Sequence, residues 1–305
     1  SKQIKILRYL AWDKSVRTTF LNSKSQKIPK VEYPNFDSVE LRASLKKLKS
    51  LNGDTPYDKW LEDKMNDVLS SIDLLQSPGT KQFFKKSEQI YGSPNFVLRD
   101  GKTSTLQLAK KFEVLIDSHL EHFSESLQVN PIPVSNVKKN IEERVRPIFG
   151  SKSPKIIIED QLSARATASS KRIRLRRGAC FTNKDVDQLI NHEAFIHVAT
   201  TLNGRHQTNV KILGAKTGSI TKTQEGLAVF SEFITGCIDV NRMYRISDRV
   251  IAIQMAIDGA DFIEVYRFFL KRDGKTRTQA FEDARRVFRG GVLSGGAPFT
   301  KDIVY

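Results

Sequence analysis

Cysteine is scarce. Cys180 and Cys237 are the two in 305 residues, too few for the disulfide framework that staples small secreted domains. No apolar run approaches the ~18 residues of a membrane-spanning helix, so no membrane partner is expected. The first residues lack the pattern of a signal peptide, which makes a reducing, cytoplasmic setting the expectation. Acid is also in short supply: 34 Asp+Glu face 50 Lys+Arg, a net charge of +16. That balance calls for an acidic partner. Nucleic acid is one, but zinc-finger spacing, an aromatic RNA-binding strand and a single basic tail are all lacking, and the excess charge is spread over both halves. An acidic peptide or protein tail is the expected partner instead. The 39% hydrophobic content is enough for a core in one large or two modest domains, and it argues against disorder.

Histidine is rare too, at five residues, yet two of them stand in one short run, Asn191-His192-Glu193-Ala194-Phe195-Ile196-His197. A second run follows, Gln224-Glu225-Gly226-Leu227-Ala228. Two His and two Glu in this order suit a catalytic zinc site. A His2Glu set leaves zinc's fourth tetrahedral position open to water, whose pKa the metal lowers from about 15.7 to about 7. On this reading His192, His197 and Glu225 hold one zinc ion per chain and Glu193 is the general base. The alternative is a surface His192, a satisfied core His197 and a solvated Glu193.

The spacing imposes a structural condition. Positions five apart on an ideal α-helix differ by roughly 140° of rotation, the wrong side for a shared ion. One wide turn, with a residue inserted in the hydrogen-bond ladder, brings them nearly into line. A π-type distortion or a helix end is therefore expected between His192 and His197. Thr221-Lys222-Thr223-Gln224-Glu225 reads as a capped helix start with Glu225 in its first turn. Glu232, seven positions on, shares the face of Glu225. It either orients a ligand His through the other ring nitrogen or is a solvated charge.

The two runs, with Asn203-Gly204 between them, Arg289-Gly290-Gly291 after them and Pro298-Phe299-Thr300-Lys301-Asp302-Ile303-Val304-Tyr305 at the end, resemble the QEGLA-motif metallopeptidases. That family includes the microtubule-associated tyrosine carboxypeptidases, which remove the C-terminal tyrosine of α-tubulin, and many bacterial members. Scattered matches begin near Tyr91-Gly92-Ser93-Pro94 and become dense from Ser163 onward. The resemblance implies the same zinc ligands, His192, His197 and Glu225, and a catalytic Glu193. Ala194, Phe195 and Ile196, where the eukaryotic enzymes have a small residue, and Gln224 before the glutamate make the chain similar to the bacterial branch.

A carboxypeptidase must also grip the substrate's terminal carboxylate, for which arginine's two parallel donors are best suited. Arg289 is the first candidate, with Lys222 and Lys301 behind it. Tyr266, Tyr305 or His206 could donate to the developing oxyanion. Alternation in Arg172-Ile173-Arg174-Leu175-Arg176 predicts a strand with Arg172, Arg174 and Arg176 on one face. In zinc peptidases the strand before the metal helix commonly pairs with extended substrate, so Arg174 and Arg176 are candidate contacts for acidic side chains. The alternative is a solvated strand face.

Apolar periodicity predicts helices over 4–21, 39–51, 57–75 and 106–127, broken by Pro and Gly, and His119 and His122 read as a surface pair. From Pro154 the pattern changes to strands at 155–160 and 172–176. The metal helix is expected from about 184 to 202, stopped by Asn203-Gly204, with a polar connection to Gly218; helices near 247–259, 261–270 and 278–288 follow. The expected fold is α+β and mostly helical: a helical N-terminal region, 1–150, then a zinc-peptidase catalytic domain, 151–305, with a small sheet beside the metal-binding helix. The expected function is a zinc metallocarboxypeptidase acting on acidic tails. The alternatives are a non-catalytic, zinc-stabilised binding module and a basic adaptor for nucleic acid or another acidic partner.

Overall fold

The computed structural model describes residues 4–51, 53–118, 131–160, 162, 165–169, 171–214, 218–272 and 275–303. His119, His122, Ser163, Ala164 and Tyr305 lie outside the described residues, as does the end of the helix expected to reach Leu127. The architecture is mostly helical with one three-stranded sheet, the α+β class that the sequence pattern predicts. The chain forms two compact units, one of residues 1–112, 217–221 and 245–304, the other of residues 113–216, 222–244 and 305.

The first unit is built on aromatic packing. Asp261 caps the helix Phe262–Leu270 by accepting the Ile263 and Glu264 N–H groups, while the Glu264 carboxylate accepts the Asp261 N–H. That reciprocal pairing satisfies donors that a helix start leaves orphaned. Phe262, Val265, Tyr266 and Phe269, at helical spacing, then form the buried face. They pack with Phe281, Ala284 and Phe288 of the helix Arg277–Phe288 and with Trp12 and Phe20 from the start of the chain. The Phe20 ring meets those of Phe262, Tyr266 and Phe281 at centroid distances of 5.2, 5.0 and 5.4 Å. Tyr266 is thus a core residue of this unit.

The second unit holds the sheet. Strands β1 (Lys155–Glu159), β2 (Ala166–Ser169) and β3 (Arg172–Arg176) lie in the order β1-β3-β2, with β1 parallel and β2 antiparallel to β3. Ile173 and Leu175 are buried and Arg172 and Arg174 exposed, as the alternation requires. The apolar face joins Val137, Ile141 and Val145 of the helix Val134–Phe149 and Leu189, Ile190, Ala194 and Val198 of the metal-helix segment in one core. Because β3 is the central strand, its backbone groups are taken by β1 and β2. It therefore cannot add a substrate strand, contrary to the expectation for the strand before the metal helix.

Several elements and boundaries also differ from the sequence reading: the helix expected over 4–21 is two, Ile6–Tyr9 and Lys14–Asn22, and the one expected from 247 begins at Val240. The helices Lys81–Tyr91 and Val134–Phe149 add to those expected. Asn203-Gly204 does not stop the metal-helix segment, which continues as Ala199–His206. Gly204 is there for space: a Cβ on it would stand 2.5 Å from the Leu213 carbonyl oxygen, where the 3₁₀ turn Lys211–Gly214 crosses the helix. Finally, the Glu225 helix begins at Gly218 and runs to Ile234. Glu225 is consequently interior to this helix, since the polar residues before it tolerate helical backbone instead of capping its start.

Candidate metal centre

The segment carrying both histidines changes its hydrogen-bond period along its length. Thr182 starts it with a capping box to Asp185, and Asn183–Leu189 is α-helical. Ile190–Val198 is π-helix, closed at its end by the Ala199 N–H donating to the Ala194 carbonyl five residues back, before α-helix resumes. This wide turn is what the five-residue spacing demands. The His192 and His197 rings stand 4.9 Å apart, centroid to centroid, and nearly perpendicular at 81°.

Glu225 completes the cluster from the helix Gly218–Ile234. Its Oε2 lies 3.4 Å from His192 Nε2 and 3.7 Å from His197 Nε2. One donor atom from each of the three residues lies within 4.8 Å of the others. Ligands at about 2.0–2.2 Å around a tetrahedral ion are about 3.3–3.6 Å apart. The donor types and separations therefore fit a divalent cation of zinc's preference. Both imidazoles are buried, so little solvent competes for the site.

The other nitrogen of His192 is also held. Nδ1 lies 2.6 Å from Glu232 Oε1, and Glu232 is fully buried. A hydrogen bond from Nδ1–H to this carboxylate leaves Nε2 as the lone-pair nitrogen facing the cluster. Glu232 accepts further from Arg242 Nε and Nη2, at 2.9 and 3.0 Å, and from Gln188 Nε2 at 3.0 Å. Burial opposes a charged Glu232, but His192 and Arg242 outweigh it and hold its pKa down at about 2. For His192 burial likewise disfavours charge. Hydrogen bonds to Glu225 and Glu232, with the nearby Glu193 charge, prevail and push the ring up to about 10. Glu193, Glu225 and Glu232 thus set their negative charge around this ring, a place suited to a cation.

Gln224 accepts a hydrogen bond from Thr200 Oγ1 at 2.8 Å, tying the Glu225 helix to the end of the metal-helix segment. Thr200 and Thr201 also bond back to the Ile196 and His197 carbonyls. Asn191 Nδ2 donates to the Asp187 carbonyl and to Cys237 Sγ. The network around Glu232 is only half legible in the sequence. Glu232 is marked by its spacing from Glu225, whereas Arg242 and Gln188 have no motif to flag them.

The model of the microtubule-associated tyrosine carboxypeptidases matches residues 18–305. The chain belongs to that family. A search of curated proteins found no match to the chain. Membership makes it a carboxypeptidase-like enzyme, and it extends the likeness well upstream of the motifs quoted above.

The remaining candidates are spread more widely. Glu193 is half-buried beside His192 on the π-helix. Lys222 is exposed, one turn before Glu225. Arg174 pairs with Glu159 at 3.6 Å, and Arg176 ends β3 half-buried. Arg289 is half-buried at the end of the helix Arg277–Phe288, where its charge acts on Tyr33 and Tyr91. The glycine turn after it has a local cause. Gly290 adopts φ +82° and donates its N–H to Tyr33 Oη, and a Cβ there would meet the Phe83 ring at 2.2 Å. His206 is exposed, and Lys301 lies near Asp302. Among the described residues no helix is long and apolar enough to cross a membrane.

Proposed function

We propose that the chain is a zinc-dependent carboxypeptidase that removes a C-terminal residue, tyrosine or one like it, from an acidic peptide or protein tail. The observation that carries this reading is the convergence of His192 and His197 of the π-helix with Glu225 of the helix Gly218–Ile234, their donor atoms within 4.8 Å of one another. Family membership supplies the reaction class, and the family's name points to tyrosine as the residue removed. The net charge of +16 suits an acidic tail.

When bound, zinc would polarise the scissile carbonyl and lower the pKa of water. His192 and His197 would hold it through Nε2 and Glu225 through its carboxylate. Glu232 keeps the His192 tautomer fixed. The Glu193 carboxylate takes the proton from the attacking water and passes it to the leaving amine nitrogen. Arg289 is retained as the candidate grip on the terminal carboxylate, with Lys222, Arg174 and Arg176 as candidate contacts to acidic side chains. A reducing cytoplasmic setting fits two unpaired cysteines.

The test combines metal analysis with mass spectrometry of a C-terminal peptide library. Stoichiometric zinc, single-residue losses, and loss of both in His197→Ala and Glu225→Ala are expected. Internal cuts would refute the carboxypeptidase assignment, and full zinc occupancy in both variants would refute the ligand set.

A further inference from the structure

A second concave site lies in the unit that carries the sheet. It is a pocket of about 620 Å³ between the start of β1 and the helix Ala199–His206. Lys152, Lys155, Lys171, Arg172 and Arg205 line it together with Ser153, over an apolar floor of Ile157 and Leu202, and no acidic side chain takes part. The cations arrive from three separate stretches of chain. Lys152 comes from the 3₁₀ turn Gly150–Lys152, Lys155 from β1, Lys171 and Arg172 from the entry to β3, and Arg205 from the helix.

Sheet register explains part of this convergence. Lys155 and Arg172 are Cα partners across the parallel pair, and the Lys155 N–H donates to the Lys171 carbonyl at 2.9 Å. Both side chains therefore leave the same face at the same level. Among the described residues, Lys152, Lys155, Lys171 and Arg172 form no ion pair. Like charges gathered at one pocket repel, and among the described residues its lining holds no carboxylate. Ser153 adds an independent sign: its Oγ is buried and has no hydrogen-bond partner among the described residues. Buried hydroxyls are normally satisfied, and a ligand oxygen in the pocket would supply an acceptor for this one.

The shape of the charge selects the ligand. An extended acidic peptide would need a row of cations continuing along the sheet. On that face the next cation, Arg174, already shares its charge with Glu159 at 3.6 Å, which sets it apart from the cations of the pocket. Cations converging from several segments on one pocket suit a compact anion with several charges and many acceptor oxygens.

We propose that this pocket binds a compact, multiply phosphorylated ligand, either free in solution or as the headgroup of a lipid. The site is separate from the metal ligands and stands whether or not the carboxypeptidase reading holds.

Titration calorimetry of the full chain with sodium tripolyphosphate, in buffer without added metal, tests it. One binding event per chain is expected. The double variant Lys155→Glu, Arg172→Glu should weaken it by at least about tenfold, because the phosphates then meet like charge. Lys81→Glu, Lys85→Glu makes the same change in net charge on an exposed helix face elsewhere and should change affinity by less than about twofold. Ser153→Val should weaken binding without altering net charge. If the β-strand variant does not fold, Lys152→Glu on its exposed turn reads the same loss. Vesicles containing phosphatidylinositol bisphosphate separate the two sources: binding there but not to phosphatidylserine vesicles assigns the headgroup, and binding to tripolyphosphate alone assigns a soluble ligand. Equal weakening by the Lys81, Lys85 variant would overturn the proposal, since affinity would then follow net charge. A hexaglutamate peptide binding more tightly than tripolyphosphate would overturn it as well.

Discussion

Replacing Glu232 with Gln probes the metal centre without touching a proposed ligand. The carboxylate accepts from His192, from two Arg242 nitrogens and from Gln188, all between 2.6 and 3.0 Å. An amide keeps one acceptor oxygen but carries no charge, and in place of Oε2 it sets an NH₂ donor against Arg242 Nε. Two losses follow. Freed from its carboxylate, His192 loses orientation and basicity, and zinc affinity should fall about 10- to 100-fold, or about 1.4–2.7 kcal/mol. Arg242, itself buried, loses its countercharge, which costs about 3–5 kcal/mol of folding free energy where a buried pair is broken. Against a total stability of about 5–15 kcal/mol the second loss is large. Adding Arg242→Met removes the orphaned charge and should restore much of the fold while leaving zinc affinity low. Competition with a chromophoric chelator reads the first effect and thermal melting the second. If Glu232→Gln folds and holds zinc within about twofold of the parent chain, the role assigned to Glu232 is wrong.

Three further outcomes are expected. Glu193→Gln should keep stoichiometric zinc and lose peptide hydrolysis by about 10²–10⁴-fold in a steady-state assay; normal turnover would remove Glu193 from the role of base. Gly204→Ala should lower the melting temperature, by about 1–3 kcal/mol of stability, because the new methyl meets the Leu213 carbonyl. In an ordinary helix the same change would stabilise by about 1 kcal/mol, so the sign alone decides. Burial opposes the Asp302 charge, but Arg286, Lys301 and Arg249 outweigh it and hold its pKa below the usual carboxylate value. A lowered pKa contributes stability above the ordinary range, lost as pH falls through the folded value. Asp302→Asn should therefore flatten the acid limb of a stability-versus-pH profile, and an unchanged limb would contradict that assignment.

Much of the site could be read from residue spacing. Two histidines five apart are incompatible with a regular α-helix sharing one ion, and the π-helix Ile190–Val198 is the local solution. The seven-residue step puts Glu232 on the face of Glu225 but leaves open whether it orients a histidine or is solvated; its burial and its bond to His192 are tertiary facts. Boundaries were less legible. Thr221 looks like a cap but lies inside a helix that starts at Gly218. Asn203-Gly204 looks like a stop, yet the glycine answers to the crossing backbone of Leu213 and Gly214. Such residues carry the same local signal whether they end a helix or make room for a neighbour.

By itself the sequence determined the chemistry on offer: which side chains can ligate, their helical face, the alternation of β3 and the surplus of positive charge. These depend on residue type and on periods of a few residues, which the chain carries locally. Only the tertiary structure decided that β3 is central and closed to strand addition, that Arg242 and Gln188 grip Glu232, and that five cations from distant segments line one pocket. Those facts arise from contacts between residues far apart in the chain, and no local pattern of apolar and polar residues encodes which partners will meet.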